Sequence, residues 1–538
     1  MVKTATDKTR YCGPGRYGRM GATWRYGGFT ATCGKLTAGT GVTIKSWIGR
    51  HWPFCSLLLA GLGLRIAAQV AYQPALLYID SKKYLFGTEV TSWGAFDPLG
   101  YTLLVLHPML KVTDLAVVAL LQHALGLAMA AGLYVLLLRL GVNRWLAALA
   151  TAPVLLDGYQ LVAEQTIMPD TLFEALVVAG LLILLWRPRP GLVVVITAGL
   201  VLGLSAPVRQ VGEALIAPAL IYVLVTAGNW RRRLLCGTVL TVCFALPILG
   251  YMAYSEFSLH QGFELSDMGD QYLYGRTAHA ADCATLELPA DQWPLCPKAS
   301  VAAALGVDGL VNTGLTQGQT YAGFGPEPLA GTTQGTLQDQ FAGAVISQQP
   351  LRVIGDITHD AVKLFALTRD GLPGDTPIAR WQFQDSYPYY PPGITATGAT
   401  SANIIFALSG GGTAQVDKPV ASALRSYQLK GGYTPGPVFL VSLLAGLAGI
   451  VAYRRLGESR LALACFLITG SGIVLLLGAD LYEFSWRYQL PALITLPAGG
   501  VLGGTALARQ YHRRRAARHE SPAPSAPADL PAEEAICE

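Results

Sequence analysis

Long blocks of apolar residues, separated by short basic or aromatic links, dominate the chain from residue 52 to residue 508. They fall at 52–73, 113–138, 144–158, 169–186, 191–206, 210–227, 234–254, 434–453, 460–479 and 488–508. A hydrocarbon layer ~30 Å thick takes ~20 apolar helical residues to cross, so the pattern predicts an all-α polytopic membrane protein with about ten transmembrane helices. The stretch 255–433 carries no comparable block and reads as a long loop or domain on one side of the membrane.

The links supply the orientation. Those after the second, fourth, sixth, eighth and tenth blocks are "RLGVNR", "RPRPG", "NWRRR", "YRRLGESR" and "RQYHRRRAARH". By the positive-inside rule these are cytoplasmic, and so are both termini. The loop 74–112, the links near 159–168 and 207–209, the segment 255–433 and the turn "DLYEFSWR" are then extracytoplasmic. This gives a transmembrane bundle over 51–254, an extracytoplasmic domain over 255–433 and C-terminal transmembrane helices over 434–510. The Gly/Arg/Tyr-rich residues 1–50 read as a disordered basic arm and 511–538 as a disordered tail. Composition agrees: 52% of residues are hydrophobic and 14% charged, against ~25% charged in a typical soluble domain.

Oxidation state follows from the same topology. Cys283 and Cys296 stand close together in "DCATLELPADQWPLC", outside the cytoplasm, where a disulfide forms readily. Their spacing and the lack of clustered histidines argue against a metal site.

Charges within membrane spans are costly and mark cavities or pairs. Arg65 lies inside the first block ("LGLRIAAQ"), His123 inside the second ("LLQHALG"), and Arg209 at the start of the sixth ("APVRQ"). Each has an ordinary reading: snorkelling for Arg65, helix-to-helix hydrogen bonding for His123, an interfacial charge for Arg209. "AEQTIMPDTLFE" puts Glu164 and Asp170 around a helix start, where Asp170 complements the helix dipole. "YEFSWRYQLP" groups Glu483, Arg487 and Tyr488 before the last block, a natural aromatic-belt anchor. "ALLYIDSKKYL" places Asp80 and Lys82 just past the first block, and Asp97 reads as the N-cap of a surface helix. Asp80 has no such structural task. No phosphate-binding glycine loop, zinc-protease helix, serine elbow or dinucleotide fingerprint is present, which argues against soluble nucleotide-dependent catalysis. No nucleic-acid partner is expected.

Taken together, Arg65 with "YIDSKKYL", "EQTIMPD", "PVRQ" and "WRYQLP", in that order, resemble the GT-C-fold glycosyltransferases that use polyprenyl-phosphate sugars. These include aminoarabinose transferases, protein O-mannosyltransferases and arabinofuranosyltransferases. The likeness covers roughly residues 52–508, and "DS" here replaces the aspartate–glutamate pair of the protein O-mannosyltransferases. The resemblance implies a membrane enzyme moving a sugar, with inversion, from a polyprenyl-phosphate donor to an extracytoplasmic glycan, lipid or protein. In that reading Asp80 is the base, Arg65, Lys82, Arg209 and Arg487 face the phosphate, Glu164 and Asp170 hold acceptor or sugar hydroxyls, and Glu483 and Tyr488 are further substrate-binding residues. Some relatives use a divalent cation and others do not. A secondary transporter, which would show internal repeats, and a non-catalytic membrane scaffold remain as alternatives.

Overall fold

The computed structural model describes residues 44–89, 97–266, 269–317, 334–388, 398–409, 411–456 and 459–519. The chain divides into two units, 1–50 and 51–538. Of the arm expected to be disordered, residues 44–50 form a helix, Ile44–Arg50, and 1–43 lie outside the described residues. At the other end the last helix, Pro491–His519, runs past the expected boundary at 510, and 520–538 lie outside the described residues.

Nearly every apolar block becomes a helix, because in a hydrocarbon layer only a helix satisfies all its own backbone groups. Among the described residues the only sheet is a two-residue antiparallel pair, Tyr72–Gln73 with Gln415–Val416. Five helices are long and apolar enough to cross a membrane: Trp52–Ala71, Leu115–Arg139, Trp230–Leu259, Arg460–Tyr482 and Pro491–Arg513. A sixth span exists if the bent pair Arg144–Leu156 and Gly158–Gln165 is counted as one. The expectation of ten is therefore met in part. Blocks such as 191–206 fold as shorter helices, here Leu192–Gly203 with 12 residues; at 1.5 Å per residue that is about 18 Å, short of the ~30 Å layer.

The bend in that pair is 50° and lies at Asp157, four residues after Pro153. A broken helix leaves carbonyls without intrahelical donors, and each of these finds one. Arg65 donates to Val154 O at 3.0 Å and Leu155 O at 2.9 Å, and the Tyr427 hydroxyl donates to Leu156 O at 2.5 Å. Asp157 then caps the second half, accepting from Tyr159 N at 2.9 Å, and also accepts from Thr434 N at 2.7 Å and Arg369 at 2.8 Å. The remaining charge of Arg65 meets Glu164 at 2.7 Å, and Glu164 also pairs with His123 at 3.0 Å. Gly126 leaves room for this cluster: a β-carbon there would stand 2.8 Å from the Arg65 guanidinium. Small residues also let Gly436–Leu456 cross Pro491–His519 closely, where a β-carbon on Gly449 would lie 2.5 Å from Gly503 Cα.

Within 255–433 a smaller apolar core forms around Tyr274, Leu310, Phe341 and Val345. Cys283 and Cys296 are joined as a disulfide, with Cα atoms 6.0 Å apart. Fully buried Arg276 fastens this segment to the bundle. It donates to Asp356 and Asp360, each at 2.6 Å, and to the Asp480 carbonyl at 2.6 Å, at the end of the Ser459–Tyr482 helix.

Candidate active site

Four distant stretches meet at one end of the helical bundle. The first is the loop after Trp52–Ala71. Asp80 precedes the short helix Ser81–Phe86, whose first turn is pinned by Ser81, which accepts from Tyr78 N at 2.7 Å and donates to Ile167 O at 2.9 Å. Helical spacing places residue i+3 over residue i. Lys83 therefore turns back to Asp80 at 3.1 Å, and its ammonium reaches Asp97 at the same distance. Asp97, expected as an N-cap, is an ion-pair partner here.

The second and third stretches contribute Asp170, first residue of the Asp170–Leu185 helix, and Arg209, which precedes the turn Gln210–Leu215. They form a tight ion pair. The fourth is the turn segment between the last two long helices. Arg487 there donates to Asp80 at 3.2 Å, approaches Asp170 at 3.7 Å and donates to the Tyr488 hydroxyl at 2.9 Å. Its guanidinium carbon lies 5.0 Å from the Trp381 ring centre and 4.6 Å from that of Tyr488, and Arg209 is also 4.6 Å from Tyr488. Rings at such distances add cation–π attraction. Burial, ion pairs and ring faces together fix both guanidinium groups.

Both arginines border a cavity of about 100 Å3. Arg209, Arg487, Asp97, Tyr272, Glu483 and Tyr488 line it, whereas Asp80 and Asp170 do not and stand behind the two arginines. The wall thus presents both guanidinium groups to the cavity beside the carboxyls of Asp97 and Glu483, while Asp80 and Asp170, which orient the arginines, stand behind them.

The electrostatics follow the same division. Burial alone would raise the pKa of Asp80, but Lys83 and Arg487 outweigh it and hold its carboxyl below the usual range. Glu483, 8% exposed, shifts the other way: burial, with Asp308 adding to it, outweighs Arg487 and Tyr488 and pushes its carboxyl up to about 8. Its Oε2 atom makes no hydrogen bond among the described residues.

The expected residues separate into two sets. Asp80, Asp170, Arg209, Glu483, Arg487 and Tyr488 gather at the cavity. Arg65 and Glu164 do not: they form the buried cluster that closes the broken helix, with 2% and 0% of their side chains exposed. Lys82 does not line the cavity, and its neighbour Lys83 takes the position at Asp80. The spacing of "DSKK" carried that signal, since only the second lysine is three residues from Asp80. Tyr84 and Tyr272, also in the cavity wall, had no sequence signal beyond being aromatic. Among the described residues no group of three or more His, Cys, Asp and Glu is placed to hold a metal ion. Asp80 and Asp97 are bridged by the Lys83 ammonium.

No family model and no curated protein matches the chain. Similar solved structures include the archaeal oligosaccharyltransferase AglB from Archaeoglobus fulgidus in complex with an inhibitory peptide and a dolichol-phosphate. That chain is 12% identical, with a TM-score of 0.39, over 90% of this chain and 53% of that one. Another is the Archaeoglobus fulgidus oligosaccharyltransferase tethered to an acceptor peptide containing the NVT sequon, 14% identical with a TM-score of 0.39, over 88% of this chain and 51% of that one. The chain spans about half the length of these structures.

Proposed function

We propose that the chain is a membrane glycosyltransferase that moves a sugar from a polyprenyl-phosphate donor to an acceptor hydroxyl on the extracytoplasmic side. The observation that carries this reading is the pair of arginines, Arg209 and Arg487, facing one cavity with their carboxylate partners behind them. A phosphodiester donor carries one negative charge and leaves as a phosphate monoester with a second, so the cations gain attraction as the bond breaks. Guanidinium groups also match phosphate oxygens in paired hydrogen bonds.

In the proposed step the acceptor oxygen forms a bond to the anomeric carbon while the carbon–phosphate oxygen bond breaks, with inversion. The hydroxyl proton goes to Asp80. Without substrate, Asp80 is a weak base because Lys83 and Arg487 hold it. A phosphate bound in the cavity competes for Arg487, frees Oδ2 of Asp80 and raises its basicity, so donor binding readies the base. Asp170 keeps Arg209 in place. No step is assigned to a metal ion.

The test is transfer from a synthetic polyprenyl-phosphate sugar by purified protein, with binding of the bare polyprenyl phosphate measured in parallel. Binding that disappears in an Arg209→Ala, Arg487→Ala double variant supports the reading. Wild-type protein that binds no polyprenyl phosphate refutes it.

A further inference from the structure

A second cavity, of about 150 Å3, lies between the 255–433 segment and the last turn segment, and Glu483 lines it as well as the first. Its charge is different. Asp308, Asp360 and Asp375 line it against one ammonium, Lys363, which is already held by Asp360 at 2.8 Å and Asp375 at 2.7 Å. His279 and His359 complete the polar wall; His279 is bonded to Asp356 at 2.9 Å and His359 lies 3.8 Å from Asp360. A phosphate or carboxylate entering here would meet carboxylates and a cation that is already satisfied. Hydroxyl groups, which both donate and accept, suit such a wall.

The group common to both cavities also has one unsatisfied oxygen. Glu483 is more than nine-tenths buried and its Oε2 accepts no hydrogen bond among the described residues. A buried polar atom left so is costly unless a ligand completes it. In one wall Gly306 (φ 64°) and Gly374 (φ 88°) meet backbone to backbone, with Gly306 Cα 2.9 Å from where a β-carbon on Gly374 would stand.

We propose that this second cavity is the acceptor subsite and takes a neutral polyhydroxyl group, a carbohydrate residue, whose free hydroxyl is presented past Glu483 to the first cavity. The proposal rests on the transferase reading given above. It assigns the two sides of Glu483 opposite tasks. The arginine side holds the anionic donor, and the aspartate side holds an uncharged acceptor. Glu483, kept protonated by its burial, donates to one acceptor hydroxyl and accepts from another.

The experiment uses full-length protein in detergent and saturation-transfer NMR with three probes: a neutral oligosaccharide, a uronic-acid oligosaccharide and an amino-sugar oligosaccharide. Two variants report on the cavity. Ala303, which lines it and is exposed, is replaced by tryptophan to fill it, and Glu483 is replaced by Gln, which keeps the shape of a neutral carboxyl, or by Leu, which does not. The expected result is binding of the neutral probe, weakened about tenfold or more by Ala303→Trp and by Glu483→Leu and within about twofold of wild type in Glu483→Gln. Preference for the uronate or amino-sugar probe overturns the assigned class. No glycan binding, or equal binding in Ala303→Trp, overturns the site. Polyprenyl phosphate binding is read separately in the same samples: its loss in the wild type would sink the transferase reading, whereas its retention with unaffected glycan binding in the variants would sink this inference alone.

Discussion

Arg487 and Asp80, 407 positions apart in the chain, are joined by a 3.2 Å ion pair beside the candidate active site. Neither residue has the other's position written near it, and the pair sets the chemistry of both. The carboxylate is held ionised and the guanidinium is held in line with the cavity.

If Asp80 takes the acceptor proton, Asp80→Asn lowers kcat by roughly 10²–10⁴-fold and leaves binding of bare polyprenyl phosphate at or above the wild-type level, because Arg487 loses its competitor. Rapid-quench turnover and equilibrium lipid binding on the same preparation check both halves. Normal turnover in the asparagine variant would remove Asp80 from the role of base.

Arg487→Lys keeps the charge but not the planar fork that reaches Asp80 and Tyr488 together. The expected outcome is a kcat/KM for the lipid donor reduced by the lysine substitution and reduced further, by about 10²–10³-fold, in Arg487→Ala. Wild-type kinetics in the lysine protein would leave Arg487 as an interfacial anchor.

Arg65 and Glu164 are expected to matter for stability. Removing one partner of a buried ion pair strands the other, at a cost of about 3–5 kcal/mol, whereas replacing both by apolar residues is far milder. Arg65→Met and Glu164→Leu should each lower the thermal unfolding temperature, and the double variant should recover part of the loss. Folded single variants lacking only donor binding would return these residues to the substrate.

Glu483 supplies a pH signature. Its carboxyl, raised to about 8 by burial, is neutral at neutral pH and ionises above that value. The ionised form cannot donate and repels Asp80 and Asp308, both of which already act on it. Acceptor KM should therefore rise as pH passes about 8, and the rise should vanish in Glu483→Gln. A rise that persists in the glutamine protein would assign it to another group.

The Cys283–Cys296 bridge closes a loop with a sequence separation of 13. Loop-closure entropy for a ring of this size gives about 2–3 kcal/mol. A Cys283→Ser, Cys296→Ser double variant should unfold earlier by limited proteolysis within 255–433, with the membrane helices unaffected. Two free thiols in the wild-type protein, counted by mass after alkylation, would contradict the bridge.

The helical membrane class was legible because it depends on a property that accumulates locally. Twenty apolar residues carry their own signal, whereas a shorter block such as 191–206, expected as a span, folds as the 12-residue helix Leu192–Gly203. The stretches holding the site were legible too, since polar residues at the ends of apolar blocks are few. What the residues do was decided by tertiary structure. Arg65, inside the first apolar block, and Arg487, at the start of the last, are each a lone guanidinium among apolar residues in the sequence. One meets the carbonyls of a broken helix and Glu164, 99 positions away; the other meets Asp80 and an open cavity. Electrostatic partners in a low-dielectric interior are chosen by distances of 3 to 4 Å, and those distances are fixed by which helices pack together. The choice between Lys82 and Lys83 was local and could be read from helical spacing. The choice between Glu164 as an ion paired with Arg65 and Glu483 as an acid with one unsatisfied oxygen could not, because it depends on what the rest of the fold brings within reach of each carboxylate.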